Sequence, residues 1–270
     1  MHDFTKFTGL DQRELACGAM QGIFALEPSA NVINCALAGA AGLVACAFTL
    51  STFDRWLRRR QPHELAWSIA MAFFAIGSLA LWWAESTGWT IGIFRLFFLC
   101  GAVLNVSWLA LGTVYLLAGK TTGDLIRTWL IAATGFATGV VAVSPAKTPI
   151  IRTEFPIGRD VFGAAPRILA AIGSGVPALI IIAGALWSTW RIIGRKSPGR
   201  LALGNIVIAV GTLILSASGL FAGRLGQDRA FAITLLIGVC ALFGGFLIAS
   251  NSTRRSVQFS AQYFASAANG

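Results

Sequence analysis

The sequence predicts an all-α fold, namely a bundle of seven transmembrane helices. Two observations lead to this prediction. Hydrophobic residues make up 56% of the 270-residue chain, charged residues only 12%, and the mean hydropathy is +0.73. Soluble domains carry about 25% charged residues. In addition, segments long enough to cross a hydrocarbon core roughly 30 Å thick occur seven times. They lie at 32–52, 65–84, 90–117, 127–143, 168–190, 201–221 and 230–250.

The first two predicted spans form a hairpin. Small residues are frequent at 36–42 of the first span, and they permit close contact between helices. A basic turn at 55–60 follows, and Pro62 and Glu64 then occupy the first turn of the second span, where both residue types are favoured. Tryptophans at 82–83 end this span and are typical of a membrane–water interface.

The third predicted span contains a strongly polar side chain near its middle. Arg95 falls in its first turn, where a long cationic side chain can reach the lipid headgroups. Asn105 lies about 15 Å further along the axis, at 1.5 Å per residue, and therefore near the midplane. Gly101, Trp108 and Gly112 share its helical face, so this face is predicted to point into the bundle.

The fourth predicted span carries Gly135 and Gly139, a close-packing motif that indicates either an internal helix contact or a dimer face. The loop after it, 145–167, is the longest connection, and any extracytoplasmic recognition is expected there.

The seven spans together form one predicted transmembrane domain, 31–250. Residues 1–30 are predicted to be an extracytoplasmic segment. Either 11–26 forms a short amphipathic helix at the outer interface, or the true start is Met20 and the first 19 residues are an extension that is not translated. Residues 251–270 are predicted to form a basic amphipathic tail on the cytoplasmic lipid surface.

The distribution of charge predicts the orientation. When the connections are assigned alternately to two sides, one side receives twelve of the 21 Lys and Arg residues and three of the 11 acidic residues, whereas the other receives eight of each. Because cytoplasmic loops are rich in Lys and Arg, we expect the N-terminus outside and the C-terminus in the cytoplasm. The same charge predicts attraction to anionic lipid at the cytoplasmic face. Nucleic acid is excluded as a partner, because no soluble basic domain is present.

The order of several landmarks predicts an internal repeat. A Ser-Thr-aromatic sequence, a basic turn, a proline and Gly-Ser/Thr-Leu-x-Leu follow one another at 51–81 and again at 188–215. Arg95, which opens the third span, has a counterpart in Arg229 before the seventh. Two parallel three-helix units joined by one inverting helix would result. At the level of topology this plan resembles the SWEET transporters, although Pro177 is the only proline deep inside a predicted span here.

The run FRLFFLCGAVLNVSWLALGTVYLL at 94–117, together with 204–213, also resembles a group of uncharacterised bacterial seven-helix integral membrane proteins. The resemblance implies a multi-pass protein of the bacterial plasma membrane. That group has no established activity, so the resemblance implies an architecture and assigns no role to any residue.

Residue types that are missing from the predicted spans exclude several functions. The two histidines, His2 and His63, lie outside the spans, so haem ligation, an intramembrane histidine metal site and a histidine proton relay lack their ligands. No span contains a lysine, which excludes a retinal Schiff base, and no HExxH motif is present. We therefore predict no catalytic residue, no metal and no cofactor.

Buried polar side chains supply the candidate site. Asn105 and Asn205 are expected to line a central cavity, with Trp108 and Thr212 beside them. The alternative is that these groups only join helices through hydrogen bonds, each worth about 0.6 kcal/mol in a membrane.

Two charged residues near the outer surface form a second candidate. Glu85 lies at the outer end of the second span and Arg95 at that of the third. Either both are solvated helix ends, or they pair and close the outer mouth of the bundle.

These features predict a membrane protein without enzymatic activity, which transports or binds a small neutral or amphipathic solute. The first alternative is a seven-helix sensor or accessory subunit acting through a membrane protein partner, and the second is a lipid-modifying enzyme. A polar cavity between the two units would favour transport, whereas a core packed shut would favour the sensor or subunit.

Overall fold

A computed structural model of the protein describes residues 30–193, 203–204, 206–215 and 230–248. All regular elements of this part of the chain are helices. Five helices in it are long and apolar enough to cross a membrane. The predicted all-α class and the prediction of a membrane protein are therefore confirmed. Nearly all of the predicted N-terminal segment, the predicted tail and Asn205 lie outside the described residues.

Eight helices and one π-helical segment follow one another in the described ranges. The first helices are α1 (Ala30–Arg59), α2 (Pro62–Thr87) and α3 (Ile91–Phe97). The chain continues directly through the π segment (Phe98–Leu104) into α4 (Asn105–Val143). The remaining helices are α5 (Gly158–Val161), α6 (Ala164–Ile193), α7 (Ile206–Leu215) and α8 (Ala230–Ile248).

Helix α4 is folded back on itself at Gly119, whose φ of 84° and ψ of 179° are not helical and suit a glycine. Trp108 Nε1 donates a hydrogen bond of 3.1 Å to Thr134 Oγ1, 26 residues further along the chain. In a straight helix these residues would be about 39 Å apart. The helix therefore consists of two antiparallel arms, 105–118 and 120–143. The predicted loop between the third and fourth spans is reduced to one non-helical residue.

Helices α1 and α2 form an antiparallel hairpin. At one end the Trp82 ring lies against Gly39, where an added Cβ would come within 3.1 Å of the ring. At the other end Arg55 Nε pairs with Glu64 Oε1 at 3.1 Å. A small residue of α1 thus permits the close contact with α2 that the sequence predicts.

The helix ends gather at two ends of the bundle. We call the basic end the one that contains residues 55–60, the start of α2 and Gly119. We call the aromatic end the one that contains Trp89 and the loop 144–163. This loop folds over the aromatic end. The backbone N–H of Trp89 donates a hydrogen bond of 2.9 Å to the backbone carbonyl of Arg152.

Helices α7 and α8 also lie antiparallel and in close contact. A Cβ added at Gly211 would come within 2.9 Å of the Leu242 nitrogen, and one at Gly238 within 2.6 Å of the Leu215 side chain. Since 211 lies opposite 242 and 215 opposite 238, the two helices run in opposite directions.

Large apolar side chains cover the outer faces of the helices. Leu43 and Trp129 are 71% exposed and Leu179 is 68% exposed, as expected where lipid takes the place of water. Gly135 and Gly139 lie on an exposed face of the second arm of α4, and nothing lies within 4 Å of a Cβ added at either. The internal helix contact predicted for this motif is therefore wrong.

Candidate functional site

A partly open cavity of about 380 Å³ lies between the helices toward the aromatic end, in the size range of small-molecule sites. Three polar residues line it, Ser78, Asn105 and Ser174, and no charged residue does so in the described part of the chain. Its walls are mainly aromatic, because six phenylalanine side chains surround it. These are Phe74, Phe94, Phe97, Phe98, Phe155 and Phe231.

Asn105 is the polar group that the surrounding structure leaves unsatisfied. The residue is only 4% exposed, and its Oδ1 is buried without a hydrogen-bond partner. An amide oxygen in apolar surroundings costs free energy when it accepts no hydrogen bond. Three further buried atoms of other side chains, Asn34 Oδ1, Glu64 Oε2 and Arg95 Nε, also lack partners, but none of these residues lines the cavity. Asn105 alone combines an unpaired acceptor with adjacent empty space.

The π-helical segment positions Asn105. The Asn105 N–H bonds to the Cys100 carbonyl, five residues earlier, which is the pattern of a π-helix. Phe98, Gly101 and Asn105 all line the cavity, so one face of the segment faces it. Short π segments occur frequently at functional sites. Nothing in the amino-acid sequence indicates this segment, because its residues also suit an ordinary α-helix.

Glycines provide part of the open space. Nothing lies within 4 Å of a Cβ added at Gly101 or at Gly175, and both residues line the cavity. On the side of Gly101 toward α2, the backbones approach closely, since a Cβ added at Gly77 would lie 3.4 Å from the Gly101 nitrogen. A larger side chain at Gly101 would therefore enter the cavity rather than collide with α2.

The loop between α4 and α6 closes the aromatic end of the cavity. Phe155 lines the cavity, and its ring centroid lies 5.2 Å from that of Trp89 and 5.4 Å from that of Phe231. Gly158 admits the Phe98 ring, because an added Cβ would come within 2.9 Å of it. The sequence indicated this loop by its length, but it did not indicate which of its residues reach the interior.

Of the other predicted cavity residues, the structure describes Trp108 and Thr212 but not Asn205. The Trp108 indole joins the two arms of α4 through Thr134. The Thr212 hydroxyl donates to the Ile208 carbonyl at 2.9 Å. Neither Trp108 nor Thr212 is among the residues that line the cavity, and Asn205 lies outside the described residues.

Arg95 ties α3 to the end of α4. Its Nη2 donates to the Ser144 carbonyl at 2.6 Å, and Ser144 caps the C-terminus of α4, where the helix dipole favours a cation. Glu85 is half-buried near the end of α2. Its pairing with Arg95 stays a prediction.

A buried ion pair at the basic end escaped the sequence-based prediction. The Glu64 side chain is 2% exposed and that of its partner Arg55 is 24% exposed. The Arg55 guanidinium carbon also lies 4.8 Å from the centre of the Phe246 ring, a cation–π arrangement. The three residues join α1, α2 and α8. The sequence did contain a signal for this ion pair, because Arg55 and Glu64 carry opposite charges on the two sides of the turn between the first two spans.

The fold and the cavity define the class: a polytopic α-helical membrane protein with an internal, mainly apolar cavity. Comparison with models of known families gives no match, and a search of curated proteins gives none either.

Proposed function

We propose that the protein binds a small neutral or amphipathic solute in this cavity, as a membrane transporter or binding protein. The observation that carries the proposal is the buried, unpaired Oδ1 of Asn105 on the wall of a cavity of about 380 Å³. If Asn105 only joined helices, its amide oxygen would accept a hydrogen bond from a neighbouring helix. A ligand that enters the cavity would supply the missing donor.

The proposal includes seven membrane crossings. The two arms of α4 supply the third and fourth, and α7 supplies part of the sixth. Support for a parallel three-plus-one-plus-three repeat comes from matching glycine contacts. Gly77 of α2 packs on Gly101 of the next span, and Gly211 of α7 packs on the Gly238 carbonyl of α8, at 3.1 Å from an added Cβ.

The proposed orientation places the basic end in the cytoplasm. Single cysteines at exposed positions test it, with Lys120→Cys at the basic end and Glu154→Cys at the aromatic end, in a background without the native cysteines. A membrane-impermeant maleimide added to intact cells should label the Glu154→Cys protein, and the Lys120→Cys protein only after permeabilisation. The reverse pattern would contradict the orientation.

The binding function is tested by filling the cavity. Native mass spectrometry of the purified protein should detect a co-purified small molecule on the wild type. Gly101→Leu places a side chain in the cavity and should abolish this adduct. Gly139→Leu is the matched control, because Gly139 is exposed on the outer face of α4 and has equally free space; it should retain the adduct.

An adduct of equal occupancy on all three proteins would show that the molecule binds elsewhere and would contradict the proposal. A protein subunit that co-purifies in place of a small molecule would favour the sensor or accessory subunit instead.

A further inference from the structure

We propose that the ligand is an uncharged, largely aromatic molecule with one terminal hydrogen-bond donor, an aromatic alcohol or phenol, whose hydroxyl donates to Asn105 Oδ1. This inference rests on the proposed function, since it concerns the same cavity. It narrows the ligand from any neutral or amphipathic solute to one chemical class. Three properties of the cavity wall lead to it.

The first property is the absence of charge from the described wall. An ion that enters apolar surroundings without a partner loses its hydration and gains nothing in return. Arg95, the cation of α3, donates from Nη2 to the Ser144 carbonyl at 2.6 Å, and although its Nε is unpaired, the residue does not line the cavity. The described wall therefore offers no charged partner to a carboxylate, a phosphate or an ammonium ion, which favours an uncharged ligand.

The second property is the small number of polar groups. The Ser174 hydroxyl already donates its proton to the Ala170 carbonyl at 2.6 Å, so toward a ligand it can only accept, as Asn105 Oδ1 does. A sugar carries many hydroxyls, and most of them would be buried here without partners. An amide oxygen accepts hydrogen bonds and never donates them. The ligand must therefore bring a donor, and one donor suffices.

The third property is the arrangement of the aromatic rings. Phe97, Phe155 and Phe231 all line the cavity, with ring centroids 5.4 to 6.0 Å apart. The Phe97 ring is inclined by 85° to Phe155 and by 80° to Phe231. Edge-to-face and offset arrangements are those that aromatic rings prefer. A flat aromatic ligand would continue this cluster of rings toward Asn105 and form ring–ring interactions with it. A flexible aliphatic chain would form apolar contacts but no ring–ring interactions.

The test compares 2-naphthol with 2-methoxynaphthalene, in which a methyl group replaces the hydroxyl proton and so removes the donor. Binding to the full-length protein in lipid nanodiscs is measured by fluorescence titration, with empty nanodiscs to subtract partitioning into lipid. Wild type should bind 2-naphthol about tenfold more tightly than the ether, a difference of about 1.4 kcal/mol. Gly139→Leu should behave as wild type, and Gly101→Leu should lose both probes.

Asn105→Leu separates the donor from the apolar contacts. This variant should still bind 2-methoxynaphthalene, which shows that it is folded, and its preference for 2-naphthol should fall from about tenfold to about one. Equal affinity of the wild type for both probes, or an unchanged preference in Asn105→Leu, would overturn the inference.

The outcomes also distinguish the two proposals. If neither probe binds wild type better than Gly101→Leu, while a co-purified molecule is still lost from Gly101→Leu, then the ligand class is wrong and the binding function stands. If neither the probes nor any co-purified molecule distinguish Gly101→Leu from wild type, both proposals fail.

Discussion

Two glycines on either side of Asn105, Gly101 in the aromatic half and Gly112 in the basic half, meet opposite surroundings. In the aromatic half, nothing lies within 4 Å of a Cβ added at Gly101, and the space belongs to the cavity. In the basic half, a Cβ added at Gly112 would come within 2.1 Å of Trp67 Nε1, so the indole fills the space. A glycine therefore opens or closes the interior according to what the neighbouring helix places opposite it.

The hydrogen bonding of polar side chains also differs between the two halves. In the basic half, the Tyr115 hydroxyl donates to Asp124 at 2.8 Å, and Trp108 donates to Thr134 at 3.1 Å. In the aromatic half, the Asn105 oxygen has no partner and lies beside the cavity. One oxygen of Glu64 in the basic half is also unpaired, but its carboxylate bonds to Arg55 through the other oxygen. The basic half is thus held closed by packing and hydrogen bonds, and the cavity lies in the aromatic half.

The largest loss of stability is expected from Arg55→Met, which leaves the buried Glu64 carboxylate of the basic half without its partner. Removing one member of a buried ion pair lowers the free energy of unfolding by about 3–5 kcal/mol. Because Arg55 is partly exposed, we expect the lower limit of this range. Thermal unfolding in detergent measures it. The double variant Arg55→Met/Glu64→Leu should recover part of the stability. Wild-type stability of Arg55→Met would show that the pair does not hold the basic end closed.

Gly112→Ala should have the next largest effect, because the new methyl group collides with the Trp67 ring. Overpacking of this kind costs about 1–3 kcal/mol. Gly139→Ala, at an exposed helix position, is the control and should change the free energy of unfolding by no more than about 0.5 kcal/mol. If the two substitutions have equal effects, Trp67 adapts easily and the basic half is less tightly packed than its geometry indicates.

A smaller effect is expected from the contact between the arms of α4. Trp108→Phe and Thr134→Val each remove the hydrogen bond, and the coupling in a double-mutant cycle should be about 0.6 kcal/mol. Unfolding with a denaturing detergent measures the four proteins. Strict additivity would mean that the arms are held together by packing alone.

A similarly small effect on stability is expected from Gly101→Leu, although its effect on binding should be complete. The new side chain enters empty space and buries apolar surface, so the unfolding free energy should change by less than about 1 kcal/mol. Thermal unfolding of ligand-free protein checks this. A strong destabilisation would show that the space beside Gly101 is narrower than the structure indicates, and would weaken the contrast with Gly112.

Several residues show which features of the fold and the cavity could be predicted from the sequence. The length of the apolar segments predicted helices that cross a membrane, and the position of Asn105 predicted a polar group within the third span. The same helical-face argument placed Trp108 with Asn105. In the structure Trp108 instead faces Thr134, because the chain reverses at Gly119 and brings the second arm of α4 alongside the first. The aromatic lid was not predictable either, since Phe155 reaches the interior only through the folding of a long loop.

The sequence by itself determined that the chain is helical and apolar enough for a membrane, because the transfer of side chains into hydrocarbon is nearly additive along a segment. Only the tertiary structure decided which glycines leave space and which receive a ring, and which amide keeps an unpaired oxygen. Those outcomes depend on pairs of surfaces from segments that are distant in the chain. Gly101 and Gly112 are equivalent by sequence, and the helix that each one meets makes one part of a cavity and the other part of a closed core.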